Sequence, residues 1–383
     1  MRIRITGLGL VMSAVLGLPA VAAADEIKIG MAAALTGAFA PYAEVEGARC
    51  EAARLNAKGI GPKVTLLVED SRSDPQLSVM LAQKFLDEGA QVVTGIPFPD
   101  SLIPIAQAAE PYGATVFSAP NTQVEMQIVG LENFLAGAVP DPVNAAATAE
   151  AVYKAGARNA LLLVSADNGS WSEKLPEWFG ESFEHYGGKV VGKLNYSFGI
   201  ADWSPQIAQI KAISPAPDVI QISSVLPDVG ILIRQLRAAG YQGWIVGSDG
   251  FDDPSLEGAV SDPAMLEKVM FATHGPTGVD SEIDTFLDEC RKSGFKVQGI
   301  FDALGADMVR ETHAAAVAAG STDPKAIRVA LRAEGGNPAI TAPIVSFAEF
   351  GGYPVKTVPV IGFKDGNRIV ISNGTPSFVP AWK

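Results

Sequence analysis

The most constraining feature of this sequence is an alternation of strand and helix patterns that occurs in two successive runs. The first run covers residues 27–138 and the second covers residues 158–273. Apolar segments of strand length alternate with segments of helix length, which is typical of parallel sheets with crossover helices. The sequence therefore predicts an α/β fold with two Rossmann-like lobes, each built around a parallel sheet.

The chain after Thr273 follows a different pattern. Three predicted helices lie between residues 281 and 333, and three short predicted strands lie between residues 344 and 372. Helices followed by strands do not make a third lobe of the same kind. We expect these elements to be additions to the two lobes, so the chain must cross between the lobes several times.

One stretch, Val92–Glu125, contains two strand–turn–helix junctions in succession. In open parallel sheets, ligands bind at the carboxyl ends of the strands, where helix N-termini also present backbone N–H groups. Asp100 or Ser101 is expected to cap the first helix, and Thr122 with Glu125 has the spacing of a capping box. These side chains either cap the N-termini of helices or line a binding cleft.

Composition and spacing exclude several classes of function. The 383-residue chain has a net charge of −13, which argues against nucleic acid and anionic membranes as partners. The three histidines are far apart and lack zinc-site spacing. Neither a nucleophile elbow nor a complete phosphate-binding loop occurs, so we expect no metal, no cofactor and no catalysis.

The first 24 residues have the pattern of a secretory signal sequence. Arg2 and Arg4 precede an apolar stretch, and small residues end at Ala24. We expect cleavage after Ala24 and a periplasmic protein, since the apolar stretch is short for a membrane anchor.

Cys50 and Cys290 are the only cysteines. In an oxidising compartment they could form one disulfide bond, but they lie on two predicted helices and their spacing does not show that these helices touch.

The sequence contains, in this order, the stretches IKIGMAAALTGAFAPYAEVEGARCEAARLNAKG, EDSRSDP, VVTG, FSAPNT and IRQLRAAGYQGWIVGSDG. In composition and order they together resemble one family, the branched-chain amino acid binding proteins among the type I periplasmic solute-binding proteins of ABC importers. The resemblance implies two lobes joined by a hinge of three crossovers. Lobe one would comprise residues 25–138 with 274–346, and lobe two would comprise residues 139–273 with 347–383.

The resemblance also implies the lobe-one part of a ligand site. Tyr42 stands where an aromatic side chain flanks the ligand, and Phe301 is expected to add apolar wall. Thr122 matches a threonine that binds a carboxylate, and Asn121 directly precedes it. In the loop where relatives place hydroxyl groups, this chain has PFPDS, so Asp100 and Ser101 are candidates although Pro99 replaces the leading serine.

Three further positions belong to lobe two. Trp171 aligns with an aromatic ligand-binding residue, Val225 occupies a second such position, and Asp249 matches the acidic residue that pairs with a ligand's ammonium group. The resemblance implies a monomeric binding protein that delivers an amino acid to a membrane permease. Alternatives are an amide or urea-like solute, an aromatic acid, or a sensor domain for a membrane receptor. A hydrolase is disfavoured.

Overall fold

The first part of the chain forms a parallel sheet. The structure is a computed structural model that describes residues 26–167 and 169–382, so the predicted signal sequence lies outside the described residues. Five strands lie in the order β2-β1-β3-β4-β5, and every neighbouring pair is parallel. The strands are β1 (Glu26–Ala33), β2 (Lys63–Asp70), β3 (Val92–Thr94), β4 (Thr115–Ser118) and β5 (Phe134–Ala136). The helices between them are α1 (Val45–Lys58), α2 (Pro75–Asp87), α3 (Pro99–Ala109) and α4 (Glu125–Ile128).

Local sequence explains the limits of these elements. Strands β3 and β4 are buried along their whole length, as expected for central parallel strands covered on both faces. Helix α1 ends at Gly59, which adopts a left-handed conformation with φ of 63°. Helix α2 begins after Asp74, whose carboxylate accepts hydrogen bonds from the N–H groups of Gln76 and Leu77.

The second sheet has seven strands in the order β15-β14-β10-β9-β8-β6-β7. Its first five strands along the chain are parallel to their neighbours, and the last two join as an antiparallel extension. The strands are β6 (Asn159–Val164), β7 (Lys189–Asn195), β8 (Val219–Ile222), β9 (Trp244–Gly247), β10 (Val269–Ala272), β14 (Val358–Lys364) and β15 (Asn367–Gly374). The helices are α5 (Asp141–Lys154), α6 (Gly169–Glu173), α7 (Leu175–His185), α8 (Ser204–Ala212), α9 (Asp228–Ala238) and α10 (Ser255–Val260).

The segment between the two parts of the second sheet packs on the first lobe. Its elements are α11 (Glu282–Lys292), α12 (Ile300–Ala319), α13 (Pro324–Leu331), β11 (Asn337–Pro338), β12 (Ile344–Phe350) and β13 (Tyr353–Val355). Helix α12 lies so close to α1 that a Cβ atom on Gly47 would be 1.8 Å from the carbonyl oxygen of Asp302. Only glycine fits at this contact, so α12 is an integral part of the first lobe.

The third crossing between the lobes lies later than the sequence suggests. Phe347 packs edge-to-face on Phe117 with 5.7 Å between ring centroids, and Tyr353 packs on Phe134 at 5.9 Å. Residues 347–355 therefore accompany the first sheet, whereas the expected lobe boundaries place them in lobe two. The strand pattern alone does not identify which sheet these short strands join.

Two expected helix caps are wrong. Helix α3 begins at Pro99 after Phe98, because proline favours the first helical position, so Asp100 and Ser101 lie inside the first turn. Helix α4 begins after Val124 without a side-chain cap, so Thr122 does not form a capping box with Glu125. None of the described helices is long and apolar enough to cross a membrane.

A disulfide bond joins Cys50 on α1 to Cys290 on α11, across 240 residues of sequence. Both cysteines are buried in the core of the first lobe. The sequence left this pairing open, because it depends on α11 returning to the first lobe after the chain has built most of the second.

We expect the double variant Cys50→Ala/Cys290→Ala to have a free energy of unfolding lower by about 2–5 kcal/mol, because the crosslink restricts a very long loop in the unfolded chain. Urea unfolding followed by circular dichroism measures this change. A thiol reductant should bring the wild type to the same midpoint and leave the double variant unchanged. Equal midpoints for the oxidised wild type and the double variant would contradict the prediction.

Candidate functional site

A cavity lies between the two lobes, where the carboxyl ends of the central parallel strands face each other. Loops after β1, β3 and β4 form one side, and loops after β6, β8 and β9 form the other. The cavity volume is about 60 Å³, several times the minimum that one water molecule needs. Six of the nine predicted site residues line it: Tyr42, Thr122, Trp171, Val225, Asp249 and Phe301.

Tyr42 connects the two lobes across this cavity. Its hydroxyl group donates to the carbonyl oxygen of Gly250 at 3.0 Å and accepts from the N–H of Leu226 at 2.8 Å. Its ring packs edge-to-face on Phe301, with centroids 5.1 Å apart. Burial raises the pKa of the Tyr42 phenol far above its usual range, so this group remains a neutral donor. The lobes are therefore in direct contact.

Asp249 is held from two sides. It follows β9 in a short 3-10 helix and is almost fully buried. The indole N–H of Trp171 donates to its Oδ1 at 2.9 Å, and the Nε2 of His274 lies 3.2 Å from its Oδ2. These contacts fix the carboxylate at the cavity wall, where its remaining lone pairs can accept a donor from a ligand.

His274 was not predicted as part of the site. It lies just after β10, at the second crossing between the lobes, and its side chain is fully buried. The sequence gives little indication of this role, because its three histidines lack the spacing of a metal site and His274 belongs to none of the family stretches. The one available indication is that His274 lies directly at the expected lobe boundary between residues 273 and 274.

Thr122 follows β4 and is buried. Its carbonyl oxygen accepts a hydrogen bond from the N–H of Asp141 at 2.8 Å, which ties it to the start of α5. The Asp141 side chain is completely buried, and burial raises the pKa of its carboxyl group well above the usual range. Thr122 is thus anchored at the first crossing between the lobes.

Three predicted residues do not line the cavity. Asp100 is exposed in the first turn of α3, and Ser101 is buried behind the loop, against Gly95. Asn121 is fully buried, donates to the carbonyl oxygen of Pro97 at 2.8 Å and accepts from the hydroxyl group of Tyr353 at 3.2 Å. The contacts of Asn121 are those of a residue that stabilises the loop.

The loop after β3 presents apolar side chains to the cavity instead. Ile96, Pro97 and Phe98 line it, in place of the hydroxyl groups that the family resemblance led us to expect. The wall is mostly apolar, and the described residues that line it include no lysine, arginine or histidine. Glu44, which was not predicted, is the second acidic residue of this wall. In the described ranges, 26–167 and 169–382, no group of three or more potential ligand side chains could hold a metal ion.

Comparisons with known proteins agree with this architecture. The chain is 28% identical over 243 residues to a Leu/Ile/Val-binding protein of Rhizobium johnstonii, covering 62% of this chain and 65% of that relative, just under two thirds of its length. It is 26% identical over 332 residues to a Leu/Ile/Val-binding protein homologue of Brucella abortus, covering 85% and 87%. A leucine-binding protein of Thermotoga maritima has the same fold, with a TM-score of 0.79 at 23% identity over 92% of this chain and 99% of that one. A family model described as periplasmic binding protein matches residues 26–367, and this chain therefore belongs to the periplasmic binding protein family.

Proposed function

We propose that this protein is the solute-binding component of an ABC importer and that it captures an amino acid or a related small polar solute between its lobes. The observation that carries the proposal is Asp249, a buried carboxylate on a mostly apolar cavity wall where the described lining residues include no lysine or arginine. A buried carboxylate favours a ligand that brings a cation or a strong donor. The names of the Rhizobium and Brucella relatives, which refer to leucine, isoleucine and valine, support an amino acid.

Each side of the cavity has a role in this proposal. Asp249 accepts hydrogen bonds from the ligand's ammonium group, and Thr122 with the neighbouring backbone N–H groups receives its carboxylate. Tyr42 and Trp171 enclose the ligand, and Val225 with Phe301 provides apolar contact. An aromatic acid without a donor group is disfavoured, because its negative charge would face the acidic wall without compensation.

Closure of the lobes would transmit binding to the transporter. Proteins of the periplasmic binding family close around a ligand by a hinge motion between their lobes, and Tyr42 is placed to stabilise the closed form. A ligand that contacts both lobes binds the closed form better and increases its population. We propose that the closed form delivers the solute to a membrane permease.

The cellular setting of the proposal follows from the sequence. The protein would be exported, cleaved after Ala24 and monomeric in the periplasm, and it would bind its solute without converting it. A sensor domain that signals to a membrane receptor is the alternative. A genetic test separates the two, because deletion of the permease abolishes uptake in the first case only.

The variant Asp249→Asn should weaken binding of an amino acid ligand roughly 10- to 150-fold, because a hydrogen bond to a charged group is worth about 1.5–3 kcal/mol. A thermal-shift screen of amino acids, amides and aromatic acids identifies the ligand, and calorimetry then gives the dissociation constants. Asp288→Asn, an exposed change on α11, is the matched control. Ligands found only among aromatic acids, bound equally by Asp249→Asn, would refute the assignment.

The variant Tyr42→Phe should weaken binding about 5- to 150-fold, because it keeps the ring but removes two hydrogen bonds, each worth about 0.5–1.5 kcal/mol, between the lobes. Small-angle X-ray scattering should show less closure at equal ligand saturation. Tyr112→Phe is the control, since that hydroxyl group contacts Gln83 and Asp87 within the first lobe. Equal affinity and equal closure in both variants would show that Tyr42 does not stabilise the closed form.

A further inference from the structure

The cavity wall contains an acidic residue that the proposed binding chemistry does not use. Glu44 immediately precedes α1, is 5% exposed and lines the same cavity as Asp249. The carboxylate and ammonium groups of an amino acid are accounted for by Thr122 and Asp249. Neither of these two ligand groups is assigned to Glu44, so the proposed binding mode gives its carboxylate no partner on the ligand.

The burial of Glu44 is poorly compensated within the protein. Among the described residues, the hydrogen-bond donor placed against its carboxyl group is its own backbone N–H. Asp302, on the packed helix α12, is also acidic and opposes its ionisation. Burial raises the pKa of Glu44 to about 7. Because an unpaired buried carboxylate is costly, a donor from the ligand would relieve that cost.

The position of Glu44 indicates which part of a ligand it faces. Tyr42, two residues earlier, packs on Phe301 of α12. One turn later on the same helix, a Cβ atom on Gly305 would lie 2.1 Å from the carbonyl oxygen of Glu44. Glu44 thus lies at the end of the loop after β1, beside α12, whereas Thr122 and Asp249 lie on the loops after β4 and β9. With its backbone groups held by the loops after β4 and β9, an amino acid has its side chain left to contact Glu44.

We propose that Glu44 is a specificity-determining ligand-binding residue and that the ligand carries an N–H donor or cationic nitrogen in addition to its α-amino group. The solute class is amino acids with a basic or amide-bearing side chain, rather than a purely aliphatic one. This inference rests on the proposed function, because it takes Thr122 and Asp249 as the sites of the backbone groups.

Two pairs of nearly isosteric amino acids test the inference. Calorimetry at pH 7.5 compares 2,4-diaminobutyrate with norvaline, and asparagine with leucine. In each pair we expect the nitrogen-bearing member to bind at least tenfold more tightly to the wild type. Glu44→Gln should remove the preference for diaminobutyrate over norvaline, whereas Glu46→Gln, a partly exposed change on α1 that removes the same charge, should retain it.

The pH dependence gives an independent readout. Because diaminobutyrate requires ionised Glu44, its affinity should increase by up to tenfold per unit as the pH rises from 5.5 towards 7, and then level off. The other titratable groups to consider are Asp302, which acts on Glu44 from α12, and Asp249 and Tyr42, which line the same cavity. Burial also raises the pKa of Asp302 to about 6, so only the part of the pH effect that Glu44→Gln abolishes belongs to Glu44.

The outcomes separate this inference from the proposed function. Equal or tighter binding of norvaline and leucine by the wild type, unaffected by Glu44→Gln, would overturn the role of Glu44 and leave an amino acid importer intact. Affinity that strengthens on acidification would also overturn it, because Glu44 would then act as a protonated donor. Binding of none of the four solutes would overturn the amino acid ligand itself. If Glu44→Gln fails to fold, the wild-type preference decides.

Discussion

Parallel strand pairing is the constraint on which this molecule depends. Because every strand of a parallel sheet ends at the same edge, the loops after β1, β3 and β4 must gather at one place in the first lobe. The same holds for the loops after β6, β8 and β9 in the second lobe. When these two edges face each other, loops that are distant in sequence become opposite walls of one cavity, and the site needs both lobes.

The two acidic residues of the cavity both lie on a mostly apolar wall, but the protein stabilises them differently. Asp249 lies where water is scarce, yet Trp171 and His274 surround it with ring nitrogens. Glu44 has no comparable support among the described residues, and its carboxyl group shares its neighbourhood with Asp302. The two acids are therefore unequal: one is oriented in advance by the protein, and the other depends on what enters the cavity.

The architecture was largely predictable from the sequence, because periodicity and turn residues act locally. The two runs predicted at residues 27–138 and 158–273, for example, contain to within one residue the five strands of the first sheet and the five parallel strands of the second. The placement of residues 347–355 was not predictable, since it depends on Phe347 and Tyr353 finding partners in the first lobe. The disulfide partner was uncertain for the same reason.

The candidate site was also predictable only in part. Residues in family motifs, such as Tyr42 and Asp249, were placed at the cavity by alignment. Glu44 lies within a family stretch that assigns it no role, and His274 lies outside all of them. Their proximity to the cavity arises from helix packing and from the crossing between lobes, which a linear pattern does not encode.

The discontinuity of both lobes has a consequence for how the molecule is made. The first lobe needs α12, which begins at Ile300, and the second sheet needs β14 and β15, which end at Gly374. A chain that emerges with its N-terminus first can therefore complete neither core until most of its length is available. Contacts this distant in sequence raise the contact order, which slows folding. The same connectivity that places the cavity between two lobes therefore leaves both cores incomplete during synthesis until the last strands have been made.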